Sequence, residues 1–411
     1  MPLNNQELKL IIVGWIAFPF GAASGERIRL LAKGLNELGA NVRVLTTRAI
    51  AYRQEDIRPG GSMVFQCVPY EPLAGFTGGG ERPPGQRLAL YLEAIRKLQR
   101  RLEDLARTGG VTAVLAYTRS YLLLSSVSRV CRSFRLPLFA DCVEWFTPSH
   151  YTLGVLNPFC WDNHLGRNLC ARRCRGIIAI SKYIENRCRQ RGVPTLRIPA
   201  LYDFDTVNSP NPVKANTGFD LMYVGNFKAD DGFLETCLGV RAARAKGCPV
   251  RLLCVGARDW PKWIHGPAAN LIEALKRDDA IRLLGRLPEE QYHSVLRTPD
   301  AHVLLRTRSI TTQAAFPTRL PQLLATGRPV FTTDVPDVPD YLTDRKDAHV
   351  LPAGPHLPSI FAERLAESWR DPNLGVNLGL AGLKQAQQCF DYQRHALRLL
   401  EFIKDALLRK K

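Results

Sequence analysis

The chain has no apolar run of the ~18 residues that a membrane-spanning helix needs. Its nearest approach, Leu8 to Phe20, is interrupted by Lys9, Gly14 and Pro19. The start lacks a basic segment followed by an apolar stretch and a cleavage site, so no secretory signal is expected. The 11 cysteines are odd in number and include no CxxC pair, which disfavours a disulfide framework and fits reduced thiols in a cytosol-like compartment. Cys170 and Cys174 lie one helical turn apart with His164 upstream, but no second ligand pair follows. Buried thiols are therefore a simpler reading than a metal site. The first glycine loop, Gly21-Ala-Ala-Ser-Gly25, is neither GxGxxG nor a Walker A sequence, so it specifies neither a dinucleotide nor a nucleoside triphosphate. No nucleic-acid recognition motif or interleaving of aromatic and basic residues is present, and nucleic acid is not expected as a partner.

What is present describes an ordinary globular chain. Of 411 residues, 45% are hydrophobic and 23% charged, enough to bury real cores and to exclude disorder. The length suggests roughly two to three domains. A net charge of +18 points to an anionic partner: an acidic membrane surface, a nucleotide or a phosphate. The basic residues gather between Arg82 and Arg101 and again between Arg167 and Arg191. The expected placement is cytoplasmic, or peripheral at the inner face of the membrane.

Periodicity organises the first half. Lys9 to Gly14 reads as a strand; Ile28, Leu31, Leu35 and Leu38 recur at helical spacing; Gly39 stops that helix and Val42 opens the next strand. Ser24 is the expected N-cap, with Glu26 in the first turn. The small residues Gly21, Ala22, Ala23 and Ser24 let an acceptor or its phosphate approach the backbone and the helix N-terminus; a tight turn with nothing bound is the alternative. Further strands are expected at Met63–Val68, Val111–Tyr117, Leu136–Ala140, Gly176–Ile180 and Leu196–Ile198, with helices over Gln86–Arg107, Arg119–Phe134 and Ser181–Arg191. Such alternation predicts a parallel sheet covered on both faces. The Gln86–Arg107 helix has leucines on one face and arginines on the other, either a solvated face or one that attracts anionic lipid head groups. Asp141-Cys-Val-Glu-Trp-Phe146 follows a strand, which places its carboxylates at the carboxyl edge of the sheet. Glu144, ahead of His150, is the first candidate to orient or deprotonate an acceptor hydroxyl and Asp141 the second, with His150 counted among the acceptor-binding residues. A carboxylate that caps a helix or pairs with a nearby arginine is the competing reading.

Prolines and turn formers between Arg197 and Pro212 mark a boundary, dividing the chain into residues 1–200 and 201–389. From Asp220 the alternation restarts, with strands at Leu221–Val224, Val250–Val255, Ile281–Leu284, Ala301–Leu305, Val330–Thr333 and Val350–Leu351. This is a second Rossmann-like α/β domain. Gly225, Asn226 and Lys228 form a glycine turn with a cation ahead of a helix, chemistry suited to a diphosphate. Gly285 closes the third strand. Ala301 to Asp334 reads as strand, polar loop, Phe316-Pro-Thr-Arg319, short helix ending at Gly327, and strand, a βαβ unit whose helix N-terminus favours a phosphate-bearing ligand.

The run Phe316-Pro-Thr-Arg-Leu-Pro-Gln-Leu-Leu-Ala-Thr-Gly-Arg-Pro-Val330 resembles the donor-nucleotide segment of bacterial group 1 (family 4) glycosyltransferases, FPTKL-x-EYLA-x-G-x-PV. Phe18-Pro-Phe-Gly-Ala-Ala, Asp141-x-x-Glu144-Trp145, Ile178-Ala-Ile-Ser181, Tyr223-Val-Gly225 and Phe390-Asp391 agree with it in order along the chain. The resemblance, extending to the capsular and exopolysaccharide type, implies the GT-B architecture: two Rossmann-like domains with parallel sheets facing across a cleft. The acceptor, a saccharide or lipid-linked intermediate, would bind the first domain and a nucleoside-diphosphate sugar the second. No metal or cofactor is implied beyond that co-substrate, transfer is expected with retention, and the helix within 390–411 would return to the first domain. By resemblance, Gly225, Asn226, Lys228, Gly285, Arg306, Phe316, Pro317, Thr318, Arg319 and Gln322 bind the donor. Two glutamates eight positions apart are common in the family; here Ala314 and Gln322 stand in their place. Gln322 can still hydrogen-bond a ribose. Arg319 replaces a lysine and can grip phosphate bidentately. A second basic residue usual in the family is Asp231 here, leaving Lys228 or Arg306 to take its role. The DxD-like Asp203-Phe-Asp205 belongs to a different architecture and is set aside. An epimerase or hydrolase of the same fold, or a non-catalytic binding subunit, are the alternatives.

Overall fold

The computed structural model describes residues 5–19, 23–50, 63–73, 84–151, 153–206, 218–256, 259–260, 264–335 and 337–408. The chain forms two compact units, Met1–Leu201 with Tyr392–Lys411, and Tyr202–Asp391.

In the first unit the elements run β1 (Lys9–Pro19), α1 (Ala23–Glu37), β2 (Asn41–Ile50), β3 (Met63–Phe65), β4 (Val68–Pro72), α2 (Pro84–Arg107), β5 (Ala113–Tyr117), α3 (Tyr121–Ser133), β6 (Leu138–Cys142), α4 (Pro158–Arg173), β7 (Gly176–Ala179), α5 (Lys182–Arg189) and β8 (Thr195–Arg197). The sheet order is β3-β4-β2-β1-β5-β6-β7-β8, parallel except for β3. The apolar run of β1 is continuous because both faces are covered. Leu10 and Ile12 pack with Ile28, Leu31 and Leu35 of α1, while Ile11 and Val13 pack with Leu98 and Leu102 of α2 and Leu124 and Val127 of α3. The last helix of this unit, Tyr392–Leu408, lies against α1. Their approach is close enough that a Cβ on Gly34 would sit 2.5 Å from the Cβ of Ala396, and Tyr392 Oη donates to Glu37 at 3.0 Å.

The second unit contains β9 (Phe219–Gly225), α6 (Phe233–Ala245), β10 (Val250–Gly256), α7 (Pro267–Arg277), β11 (Ile281–Gly285), α8 (Glu289–Val295), β12 (Ala301–Leu304), α9 (Ile310–Ala314), α10 (Leu320–Leu324), β13 (Val330–Thr333), β14 (His349–Leu351), α11 (Leu357–Arg370) and α12 (Pro372–Phe390); the Tyr392–Leu408 helix is thus α13. The order is β11-β10-β9-β12-β13-β14, all parallel. In both sheets the winding reverses beside the first strand, between β1 and β5 and between β9 and β12. At such a reversal the loops leaving adjacent strands diverge and open a crevice at the carboxyl edge.

Several elements differ from the sequence reading. Met63–Val68 is not one strand: Gln66 and Cys67 take φ of 45° and 63°, and the chain reverses there into the antiparallel β3–β4 pair. Neither residue advertises a left-handed turn as Asn-Gly would. Helix α1 begins at Ala23, so Ser24 lies inside its first turn rather than capping it. Helix α4 was not foreseen. It starts where the Asn157 side chain accepts from Phe159 N (2.9 Å), with Pro158 at its first position. Phe159, Trp161 and Leu165 are exposed and, among the described residues, only Leu169 and Cys170 near its end pack inward, so it lacks the inward periodicity that betrays a helix. Helix α9 is also additional, nucleated in the polar loop by a capping box between Ser309 and Thr312.

Candidate active site

In the second unit the crevice between β9 and β12 collects most of the expected donor residues. The loop leaving β9 is pinned by Phe227, which adopts φ 52° and packs its ring against Tyr223, Phe233 and Trp260. That anchor turns its neighbours Asn226 and Lys228 outward, and both are exposed. Gly225 is required by space: a Cβ there would lie 2.6 Å from Tyr223 Oη. The loop leaving β12 packs against this one. Thr307 N donates to the Asp230 carbonyl (3.3 Å) and Ser309 Oγ to the Asp230 carboxylate (3.3 Å). Gly232, at φ 60°, leaves room for the Leu305 backbone, which a Cβ would approach to 2.8 Å.

Arg306 stands at the centre of this convergence. Its backbone is clamped by Thr333, whose Oγ1 accepts from Arg306 N (2.9 Å) and donates to Arg306 O (3.0 Å). Its side chain is half-buried among Asp231, Asp230, Tyr223 and Arg319, and burial lowers the guanidinium pKa against the pull of the two aspartates. Among the described residues, Arg306 Nε and Tyr223 Oη are enclosed without a hydrogen-bond partner. Buried polar groups are normally satisfied, and two orphans in one crevice require an explanation. Burial raises the Tyr223 hydroxyl well above its ordinary pKa, so it remains a neutral donor.

Arg319 reaches the same edge, donating from Nη1 to the Val224 carbonyl at 2.9 Å. The residues before it divide their work. Phe316 is buried against Tyr341 and Phe390 (5.4 and 5.6 Å between ring centres), and Pro317 is also buried, so both hold the turn from behind. Thr318 is exposed. Gln322 is half-buried, and its Oε1 accepts from Tyr292 Oη at 2.9 Å. Gly285 lies at the end of β11, two strands from β9, where its φ of 70° is the reason for glycine. Ala314 is fully buried at the end of α9.

The first unit gathers a different set. Asp141 is 2% exposed, and its two oxygens accept from Arg27 Nε (2.8 Å) and Nη2 (3.1 Å). Glu144 is half exposed and paired with Arg119, whose guanidinium stacks 3.8 Å from the Phe146 ring centre. Pairing with a nearby arginine, one of the two readings of Glu144, is thus observed. His150 is exposed, and its Nδ1 accepts from Thr147 N (3.2 Å) within a local turn. Ala23 and Ser24 occupy the first turn of α1, while Gly21 and Ala22 lie outside the described residues.

Trp145, next to Glu144, carries Arg167 at 4.2 Å and Arg187 at 5.7 Å from its ring centre. These three and Arg119 rim a small cavity floored by Cys142, Cys170, Cys188 and Ile177. The thiols are held protonated: mutual hydrogen bonding and burial raise Cys142, and burial pushes Cys188 to about 12. His164 bonds Arg167 instead of facing the cysteines (3.2 Å), and no group of three or more metal-ligating side chains occurs among the described residues.

Sequence reasoning missed Tyr223, Tyr292 and Thr333, whose roles exist only once strands are aligned. Arg119 was within reach, as a cation directly after the strand that flanks the reversal in the first sheet.

Residues 23–201 match the family described as Glycosyl transferase 4-like domain, and residues 218–371 match Glycosyl transferases group 1. No match is found among curated protein sequences. Similar solved structures include a sucrose-phosphate synthase from Thermosynechococcus elongatus, at 16% identity, TM-score 0.69, covering 97% of this chain and 99% of that one. Anabaena HepE in complex with UDP and glucose matches at 16% identity and TM-score 0.69, over 97% and 100%. The lipopolysaccharide outer core galactosyltransferase WaaB matches at 12% and 0.62, over 97% and 99%. At these identities the likeness establishes the GT-B fold. With both of its halves matched to successive glycosyltransferase domains, the chain belongs to the group 1 (family 4) glycosyltransferases.

Proposed function

We propose that this glycosyltransferase moves a hexosyl group from a nucleoside-diphosphate sugar, held by the second unit, to a hydroxyl of a saccharide or lipid-linked acceptor held by the first. The observation that carries the donor reading is the pair of enclosed, unpartnered donors, Arg306 Nε and Tyr223 Oη, beside Gly225. A diphosphate supplies acceptor oxygens for both. Arg319 and exposed Lys228 add positive charge at the same edge, and Gln322 is available to a ribose. HepE and the S. aureus protein TarM, both similar in fold, were each solved with UDP.

In this reading the anomeric C–O bond to the diphosphate breaks, and the acceptor oxygen forms its replacement while its proton passes to the departing phosphate. The charge growing on the leaving diphosphate is met by Arg306, Arg319 and Lys228, and preorganised cations of this kind are a main source of catalysis. They provide the compensation a divalent metal would otherwise supply, so transfer is proposed to be metal-independent, and family resemblance supports retention. Glu144, half exposed and oriented by Arg119, is the acceptor-facing carboxylate; enclosed Asp141 is not. The charge of +18 supports work at an anionic membrane surface on the cytoplasmic side.

Two measurements test this. In a thermal-shift screen against UDP-, GDP- and dTDP-sugars, one base should raise the melting temperature, because a ligand that binds only the native state stabilises it. Arg306→Ala and Arg319→Ala should each lower kcat/KM by about 100-fold, or roughly 3 kcal/mol of transition-state stabilisation. Unchanged transfer and donor affinity in both variants would refute the donor site.

A further inference from the structure

Residues 153–165 put six large apolar side chains into solvent. Leu153, Val155, Leu156, Phe159, Trp161 and Leu165 are each between 45% and 77% exposed. The segment is nevertheless well braced. Trp161 Nε1 donates to the Val155 carbonyl (2.8 Å), and Asn163 Nδ2 donates to Tyr151 Oη (2.6 Å). Asp162 accepts from Leu122 N (3.0 Å), and α4 lies so close to the start of α3 that a Cβ on Gly166 would meet the Arg119 carbonyl oxygen at 1.9 Å. The apolar groups are therefore presented by a fixed platform, and this many large apolar side chains left exposed within one short segment mark an interaction surface.

Charge selects the occupant. Between residues 119 and 175 there are eight arginines and only three acidic residues. Asp141 and Glu144 are paired with arginines, and Asp162 is engaged with Leu122 N. Arg129 and Arg132 on α3 and Arg172 and Arg173 on α4 are exposed. A second copy of this surface would bring excess arginines face to face. An anionic bilayer satisfies both features at once, with apolar side chains entering the head-group boundary and arginines over the phosphates.

We infer that the platform 153–165 is a monotopic anchor that docks the first unit on an anionic membrane. The inference rests on the peripheral-membrane reading above and is independent of sugar transfer. It adds to the contact expected from the basic face of α2, where Lys97 pairs with Glu93, Arg101 with Glu71 and Arg107 with Asp104, while Arg96 and Arg100 are exposed.

The test is flotation of the full chain, without donor, on vesicles of phosphatidylglycerol and phosphatidylethanolamine, with phosphatidylcholine vesicles as the contrast. The wild type should float on the anionic vesicles and be released by salt. Leu156→Asp combined with Trp161→Glu should weaken partitioning at least 10-fold with no change in the thermal shift given by the donor. Trp161→Phe should float as the wild type does but lose most of the tryptophan quenching by brominated lipid. No flotation of the wild type, undiminished flotation of the double variant, or quenching unaffected by Trp161→Phe each overturns the anchor. So does a wild-type dimer that the double variant dissociates, or loss of transfer to a soluble acceptor with flotation intact. A chain that floats as expected but binds no nucleotide sugar leaves the anchor standing and removes the donor reading.

Discussion

Replacing Arg27 with methionine is expected to cost about 3–5 kcal/mol of folding stability, the usual consequence of stripping one partner from a buried ion pair. Arg27 is 5% exposed, and beyond its two bonds to Asp141 it donates Nη1 to the Pro199 carbonyl (2.6 Å) and Nη2 to the Ile198 carbonyl (3.1 Å). One guanidinium thus fastens α1 to the end of β6 and to the segment leaving β8. Without it, a carboxylate with no exposed side-chain surface loses its cation and two carbonyls lose their donor. A domain with net stability of about 5–15 kcal/mol would be left near its unfolding threshold. The double variant Arg27→Met, Asp141→Leu should recover more than half of the loss, because an apolar pair of similar volume avoids the desolvation of both charges. About 1–2 kcal/mol should remain missing for the bare carbonyls. Urea unfolding measures both values. The double variant also decides the role of Asp141: if it refolds and still transfers sugar, Asp141 is architectural, whereas a folded but inactive double variant would restore it as a catalytic candidate. A single-variant loss below about 1 kcal/mol would refute the argument from burial.

The contrast between Asp141 and Glu144 shows what could be read from sequence. Strand-end position was legible, because an apolar run followed by Asp141-x-x-Glu144 places both at a carboxyl edge. Which one faces inward was not, since it depends on Arg27, 114 residues earlier, reaching across the sheet. The donor segment divides in the same way. Phe316–Arg319 was recognisable as a turn before a short helix, yet the burial of Phe316 depends on Tyr341 and Phe390, far along the chain. Arg306 was a weak candidate by sequence, and only the alignment of β12 with β13 through Thr333 makes it the central cation. Parallel strands covered on both faces were the easiest part, because burial on both sides writes itself as an unbroken apolar run. Helix α4 was invisible for the opposite reason, its largest apolar side chains, Phe159, Trp161 and Leu165, being on the outside.

Acid should weaken the second unit well before its carboxylates titrate. His302 on β12 is fully buried, and burial pushes its pKa to about 3, with Arg328 adding to the shift. His349 on β14 stacks on Phe331 (4.4 Å between ring centres), lies 2.9 Å from Ser368 Oγ through Nε2, and is pushed to about 4 by burial and then by Arg364, against Asp344 and Glu367. In the unfolded chain both rings take up a proton near pH 6.5. Between that value and about 3 to 4 the unfolded state therefore binds more protons than the folded one, and stability falls as pH falls. At pH 5 each histidine is about 1.5 units below its unfolded pKa, which corresponds to about 2 kcal/mol apiece and about 4 kcal/mol together. Nothing comparable is lost between pH 8 and 7, where both rings are neutral in either state. Hydrogen exchange at the amides of β12 and β14, followed from pH 7.5 to pH 5, reads this locally without requiring the two units to unfold together. His302→Leu combined with His349→Phe should flatten the pH dependence of those amides even if it changes their stability at pH 7.5. A slope equal to that of the wild type would show that other groups carry the acid sensitivity and that the two rings admit protons in the folded state.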